Sequence, residues 1–220
     1  MNFALLNNQL TEEKDLRLTN KNRGFLYGDG FFETIKIFNK KPFNLENHFD
    51  RIIYSADFLD IKFSLSVLDL NKSISILIEK NNIKSGFVRI SVYRNSKGKY
   101  FPEENTSSIL INSRNDINDV FVERSFINIG YYKENLKSPS SLSNLKSLNS
   151  LLYIMASKYA NENNFDDVIL FNTNNNIIET TNSNIFILNY NKVITPPLKD
   201  GCVDGSMRKL LISIIKNKYE

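Results

Sequence analysis

Residues 113–119, SRNDIND, are polar and carry neither helical nor strand periodicity, while apolar patterning runs on both sides of them. A chain interrupted in this way is expected to fold as two α+β domains, residues 1–115 and 116–220, with the interruption as linker. Before it, FFETIKIF (31–38) is rich in strand formers and NKKP (39–42) reads as a turn. Asn44 stands where it can cap a helix carrying Leu45, Phe49, Ile52, Ile53 and Ala56 on one side. A second helix, over about residues 66–80, aligns Leu70, Ile74, Leu77 and Ile78. GFVRISVYR (86–94) and SSILIN (107–112) read as strands joined by the polar loop NSKGKYFPEEN. Past the interruption, FINIGYY (126–132) is a strand, and residues 144–160 predict a helix with Leu145, Leu148, Leu152, Met155 and Tyr159 on one face. DDVILFN (166–172), NIIETTNSNIFIL (176–188) and KVITP (192–196) follow as strands separated by Asn-rich turns. GCVDGSMRKLLISIIK (201–216) is a glycine-flanked turn feeding a terminal helix.

Composition narrows the chemistry. With 41% hydrophobic residues, 220 positions suffice for a real core. There is no apolar run of signal-peptide type and no stretch long enough to span a bilayer, so a cytoplasmic protein without a membrane partner is expected. The lone Cys202 excludes an intramolecular disulfide, and the lone His48 disfavours a catalytic triad or a histidine-rich metal site. A net charge of +4 and a pI of about 9.0 invite a nucleic-acid reading. However, the lysines are scattered and no basic block alternates with aromatics.

Four places could carry chemistry. DGSMRKLL (204–211) opens a helix from a Gly-Ser turn, which aims several backbone N–H groups one way and suits an anion. Arg51 lies on the first long helix among Phe49, Ile52 and Ile53; its fork suits phosphate, though a surface ion pair with Glu46 or Asp50 is the simpler alternative. Glu179 sits between strand-like apolar runs, as edge decoration or as the buried partner of a cationic nitrogen. Lys146 falls in the first turn of the expected helix, where the dipole disfavours an ammonium. GDG (28–30) is by itself only a tight turn. Together these are what pyridoxal 5'-phosphate needs: an amine for its aldehyde, a carboxylate for its ring nitrogen, and an arginine with helix-end amides for its phosphate.

RGFLYGDGFFETIKIF (23–38), FNLENHFDRIIYSA (43–56), LKSLNSLL (145–152), IIETTNSNIFIL (177–188) and ITPPLKDGCVDGSMR (194–208) resemble, in order and spacing, the class IV aminotransferases. These pyridoxal-phosphate enzymes include branched-chain and D-amino acid aminotransferases and aminodeoxychorismate lyase. The resemblance implies the family's two-domain α+β fold, and a second domain whose further strands are missing after RKLLISIIKNKYE, so that the C-terminal domain is expected to be incomplete. It implies that Lys146 is the lysine that binds the cofactor aldehyde and carries the substrate proton. Glu179 then matches the partner of the pyridine nitrogen, Arg51 the phosphate arginine, and Ser206 and Met207 the helix-start amides at the phosphate. Asn184 matches a residue lining the cofactor pocket, and Phe32 the aromatic on the substrate side. The loop NSKGKYFP (95–102) carries Lys97, Lys99 and Tyr100 where D-amino acid aminotransferases have an arginine and a histidine for the substrate carboxylate, which argues against a strict copy of that specificity.

The expectation is an aminotransferase acting between an amino acid, branched-chain or related, and a 2-oxo acid, and a homodimer as in the family. One rival keeps the cofactor and makes the chain an aminodeoxychorismate lyase, since the run from Lys146 to Asn149 fits both activities. The other is a non-catalytic basic protein, binding nucleic acid on a degenerate copy of the fold.

Overall fold

The computed structural model describes residues 2–116 and 126–218. Contacts divide the chain into two units, Met1–Phe121 with Ser147–Asn149, and Val122–Lys146 with Ser150–Glu220.

The first unit is a six-stranded antiparallel sheet with two helices packed on it. Its elements are β1 (Phe3–Leu6), β2 (Gln9–Glu12), the short α1 (Arg23–Tyr27), β3 (Gly30–Phe38), β4 (Lys41–Pro42), α2 (Leu45–Phe58), α3 (Val67–Lys80), β5 (Gly86–Arg94) and β6 (Ser107–Asn115). Strand order is β2-β1-β6-β5-β3-β4. The NKKP turn is a two-residue hairpin loop, with Phe38 paired to Lys41 and both Asn39 and Lys40 at positive φ, as tight hairpins of the right twist require. Period-two alternation on β3 sends Phe31, Ile35 and Ile37 into the core, where they join Val88, Ile90 and Val92 of β5 and Ile109 and Ile111 of β6. Ile52 and Ala56 of α2, with Leu70, Ile74, Leu77 and Ile78 of α3, close that core. Ser66 starts α3 through a capping box with Asp69. Asn44 does hold the position before α2, but in the left-handed region and without a side-chain cap. Residues 113–115 of the expected linker belong to β6, and 117–119 lie outside the described residues.

The second unit holds β7 (Ile129–Lys137), α4 (Leu151–Glu162), β8 (Asp167–Asn172), β9 (Ile177–Thr180), the hairpin β10 (Ile187–Asn189) and β11 (Lys192–Ile194), and α5 (Ser206–Lys218). β7 and β8 run parallel, and α4 is the crossover between them; β9 pairs antiparallel with β8. Tyr132, Ala156, Ala160, Val168, Leu170, Ile178 and Cys202 form its core. The expected strand over 176–188 is broken in two, because Thr180 turns back through hydrogen bonds with Ser183.

One helix starts later than expected. Residues 146–150 are not helical, and α4 begins at Leu151. Ser147 forms a β-bridge with Phe31 and the Leu148 N–H donates to the Gly30 carbonyl at 3.0 Å, both within the first unit. Backbone committed to a strand-like pairing cannot also make the bonds of a helical turn. Lys146 therefore does not sit in the first turn of a helix, contrary to the expectation from the apolar stripe, and no first-turn dipole acts on it. Among the described residues no helix is long and apolar enough to cross a membrane.

Candidate active site

In the first unit the candidate residues lie near two acids, the buried Glu33 and the half-buried Asp29. Glu33 shares the core-facing parity of β3 with Phe31, Ile35 and Ile37, and is 1% exposed. A carboxylate placed there by strand alternation has to be paired. Arg51, one helix away, supplies the pair: its Nε donates to Oε1 and its Nη2 to Oε2, both at 2.6 Å. His48, one turn earlier on α2, brings Nδ1 to 2.7 Å from Oε2. Burial pushes the Glu33 carboxyl up, but the His48 and Arg51 hydrogen bonds and the Arg51 charge outweigh it and hold the group below its ordinary value. The surface ion pair with Glu46 or Asp50 is thus not what Arg51 makes; it is buried on Glu33. Glu33 was missed in the sequence, although its place in step with three apolar residues was a usable signal.

The second acid is Asp29 of the GDG turn. The buried Arg23 donates to Asp29 Oδ2 at 2.7 Å and to the carbonyls of Gly98 and Lys99 at 3.0 and 2.6 Å. Arg94 reaches the same Asp29 oxygen at 3.1 Å. The backbone of the 95–102 loop is thereby fixed from below, while Lys97, Lys99 and Tyr100 are exposed and Tyr100 packs its ring 5.7 Å from that of Tyr27. Phe32, on the opposite face of β3 from Glu33, carries the Arg89 guanidinium 3.7 Å from its ring centroid, a cation–π contact between residues far apart in the chain.

In the second unit Glu179 is 3% exposed on β9. Its Oε1 accepts from Lys137 Nζ at 2.7 Å and from the Tyr153 hydroxyl at 2.9 Å, and its Oε2 accepts from the Val203 N–H at 2.8 Å. Burial first, and then the Glu179 charge, push the Tyr153 phenol far up, so Tyr153 stays a hydroxyl donor. Glu179 is a buried partner for a cation, not edge decoration. Asn184 forms a β-bridge with Glu179 and donates from Nδ2 to the Val203 carbonyl at 2.9 Å. A Cβ on Gly205 would fall 1.9 Å from Asn184 Oδ1, so any larger residue there would push the Asn184 amide out of its place beside Val203. Ser206 is buried at the helix start, whereas the Met207 side chain is 45% exposed, which leaves its backbone as the relevant part. Arg208 Nε is buried without a hydrogen-bond partner among the described residues. Lys146, half-buried, follows Leu145 and the Asn144 side chain, which ties this stretch to the carbonyls of Leu198 and Cys202 at 2.8 and 2.7 Å.

The structure therefore joins Glu179, Asn184, Val203 and the start of α5 into one cluster, and sets Arg51, Phe32 and the Lys97–Tyr100 loop in the other unit. The profile of the family described as Amino-transferase class IV matches residues 30–219. The chain belongs to the class IV aminotransferases. It is 27% identical over 217 residues to a D-alanine aminotransferase of Listeria monocytogenes serotype 1/2a, covering 97% of this chain and 74% of the relative. It is 26% identical over 192 residues to a probable branched-chain-amino-acid aminotransferase of Rickettsia bellii, covering 87% of this chain and 66% of that protein. Among solved structures, the Escherichia coli branched-chain amino acid aminotransferase has the same fold, with a TM-score of 0.87 at 20% identity over 98% of this chain and 74% of that one. A putative 4-amino-4-deoxychorismate lyase of Legionella pneumophila superposes at 0.85 with 28% identity, over 93% and 75%. The fold is the mixed α and β fold of class IV aminotransferases, of whose length the chain spans about three quarters. The family is one of pyridoxal-phosphate enzymes, and its members act as aminotransferases or as the lyase.

Proposed function

We propose that this protein moves an amino group between an amino acid, branched-chain or related, and a 2-oxo acid, using pyridoxal 5'-phosphate. The donor set fits that cofactor. Oε1 of Glu179 takes two hydrogen bonds and Oε2 one, so Oε2 has room for one further donor such as a ring N–H. The first turn of α5 and the orphaned Arg208 Nε suit a phosphate. When bound, pyridoxal phosphate supplies an aldehyde that condenses with amines and a ring that takes up the electrons of the bond broken at the substrate carbon.

The residues of this chain do the rest. Lys146 Nζ is the amine for the aldehyde and then the base that takes and returns the proton at the substrate carbon. Glu179 holds a proton on the ring nitrogen. Arg51, kept in one orientation by Glu33 and His48, and the amides of Ser206 and Met207 bind the phosphate. Asn184 lines the ring's surroundings, and Phe32, Lys97, Lys99 and Tyr100 act on the substrate side. The observation that carries this reading is the buried Glu179 with acceptor capacity to spare, in a chain that matches the family along nearly its whole length. A homodimer and a cytoplasmic location belong to the same proposal, the first open to light scattering on the purified protein.

The test is incubation with pyridoxal phosphate and a panel of amino acids. Loss of the aldehyde's visible band with an amino acid, and its return with a 2-oxo acid, is expected. Release of pyruvate from aminodeoxychorismate with the band retained would instead assign the lyase, and no cofactor uptake would overturn both. The comparisons are with enzymes, and neither the lyase nor the basic nucleic-acid-binding protein is favoured.

A further inference from the structure

Two half-buried groups of the second unit have no part in the proposed reaction, namely Lys137 at the end of β7 and Tyr153 on α4. The Lys137 side chain is 12% exposed, and its ammonium lies 2.7 Å from both Glu179 Oε1 and the Tyr153 oxygen. The three contacts form a closed ring with a consistent direction. Lys137 donates to the phenol oxygen and to Oε1, and the phenol donates to Oε1 at 2.9 Å. An ammonium has no acceptor and a carboxylate no donor, so no other arrangement satisfies all three. Both acceptor sites of Oε1 are then taken, and Val203 takes one of Oε2.

We propose that Lys137 and Tyr153 are positioning residues that lock the Glu179 carboxylate through Oε1, so that Oε2 is the oxygen that serves the cofactor's ring nitrogen. This rests on the reading of Glu179 as that nitrogen's partner. A carboxylate carries its charge over two oxygens and rotates about its last bond, so a partner on one oxygen selects which face the other presents. A lysine and a tyrosine on different elements, β7 and α4, make that selection stiff, because neither can follow the carboxylate if it turns. The cation also balances the buried charge when no ring is present, which keeps a lone carboxylate from being stranded in the core. Arg208 also bears on this place, as does the buried thiol of Cys202, which burial and the Glu179 charge push up.

The test reads the ring nitrogen itself, by nitrogen-15 NMR of ring-labelled pyridoxal phosphate on the holoenzyme, in the wild type and in Glu179→Gln, Lys137→Met, Lys137→Arg and Tyr153→Phe. Glu179→Gln should move the resonance to that of an unprotonated pyridine. If it leaves the signal where it was, Glu179 is not the partner, and the reading and this inference fall together. Given that shift, Lys137→Met should move the resonance part of the way and lower kcat about tenfold or more, the loss expected for one charge-assisted hydrogen bond. Lys137→Arg should restore both. Tyr153→Phe should give a smaller shift of the same sign, and it carries the test if the methionine variant does not fold. A wild-type nitrogen signal in Lys137→Met, or in Tyr153→Phe where that variant stands in, overturns the inference while leaving Glu179 in its role.

Discussion

Two buried carboxylates, Glu33 in the first unit and Glu179 in the second, are both nearly inaccessible and both paired with a cation, yet they are held differently. Glu33 is gripped on both oxygens by the planar fork of Arg51, with His48 beside it. Glu179 is gripped on one oxygen by a lysine and a tyrosine, and touched on the other by a single backbone N–H. A guanidinium fork matches both oxygens of a carboxylate at once and fixes its plane, whereas an ammonium is a point charge that satisfies one. Glu33 thus has its plane fixed by an arginine that it orients in turn, whereas the oxygen of Glu179 away from its lysine and tyrosine carries only a backbone N–H. Burial, pairing and the number of contacts, three on each carboxylate, do not distinguish the two acids; the kind of donor does.

The largest effect expected from this contrast is on stability. Glu33→Ala strands a buried guanidinium and should cost about 3–5 kcal/mol, read as a lowered denaturant midpoint. Glu179→Gln keeps the shape and can still accept, so its cost should stay within about 1–3 kcal/mol while turnover falls. A Glu179 variant that unfolds more readily than the Glu33 variant would break the comparison. Next in size, Arg51→Ala should weaken pyridoxal-phosphate binding about 10- to 100-fold, the worth of one charge-assisted contact among several. Unchanged affinity in a titration would remove Arg51 from the phosphate. The smallest effect is on pH dependence. Because the folded Glu33 carboxyl lies below its ordinary value, its contribution is full above that ordinary value and is lost as pH falls through the folded one. Glu33→Gln should therefore flatten the loss of stability below about pH 4.5, while the wild type shows it. An equally steep acid limb in the variant would place the protons elsewhere.

Where local pattern and tertiary packing agree, the chain can be read from its letters. Helix α3, with Ser66 at its start and Leu70, Ile74, Leu77 and Ile78 in the core, and strand β5 over Gly86–Arg94 are such places. They fail where a segment is claimed by a neighbour distant in sequence. Leu145 and Leu148 fit a helical stripe, but Ser147 and Leu148 pair with β3 instead, and that pairing is invisible in a window of eleven residues. The same holds for the site. Lys146, Glu179 and Arg51 could be proposed from the sequence because a family order surrounds them. Glu33 shows in the sequence only as a charge in step with apolar residues, and Lys137, Tyr153 and Arg208 not at all, since what singles out the four is a partner 18, 42 or 26 residues away, or the absence of one.

Whether Lys146 is the amine that takes the cofactor aldehyde is read by borohydride reduction of the protein loaded with pyridoxal phosphate, followed by peptide mass mapping. The cofactor mass is expected on the peptide carrying Lys146, and none on that peptide in Lys146→Ala. Addition to another lysine, with Lys137 the nearest rival for being buried beside Glu179, or to none, would contradict it.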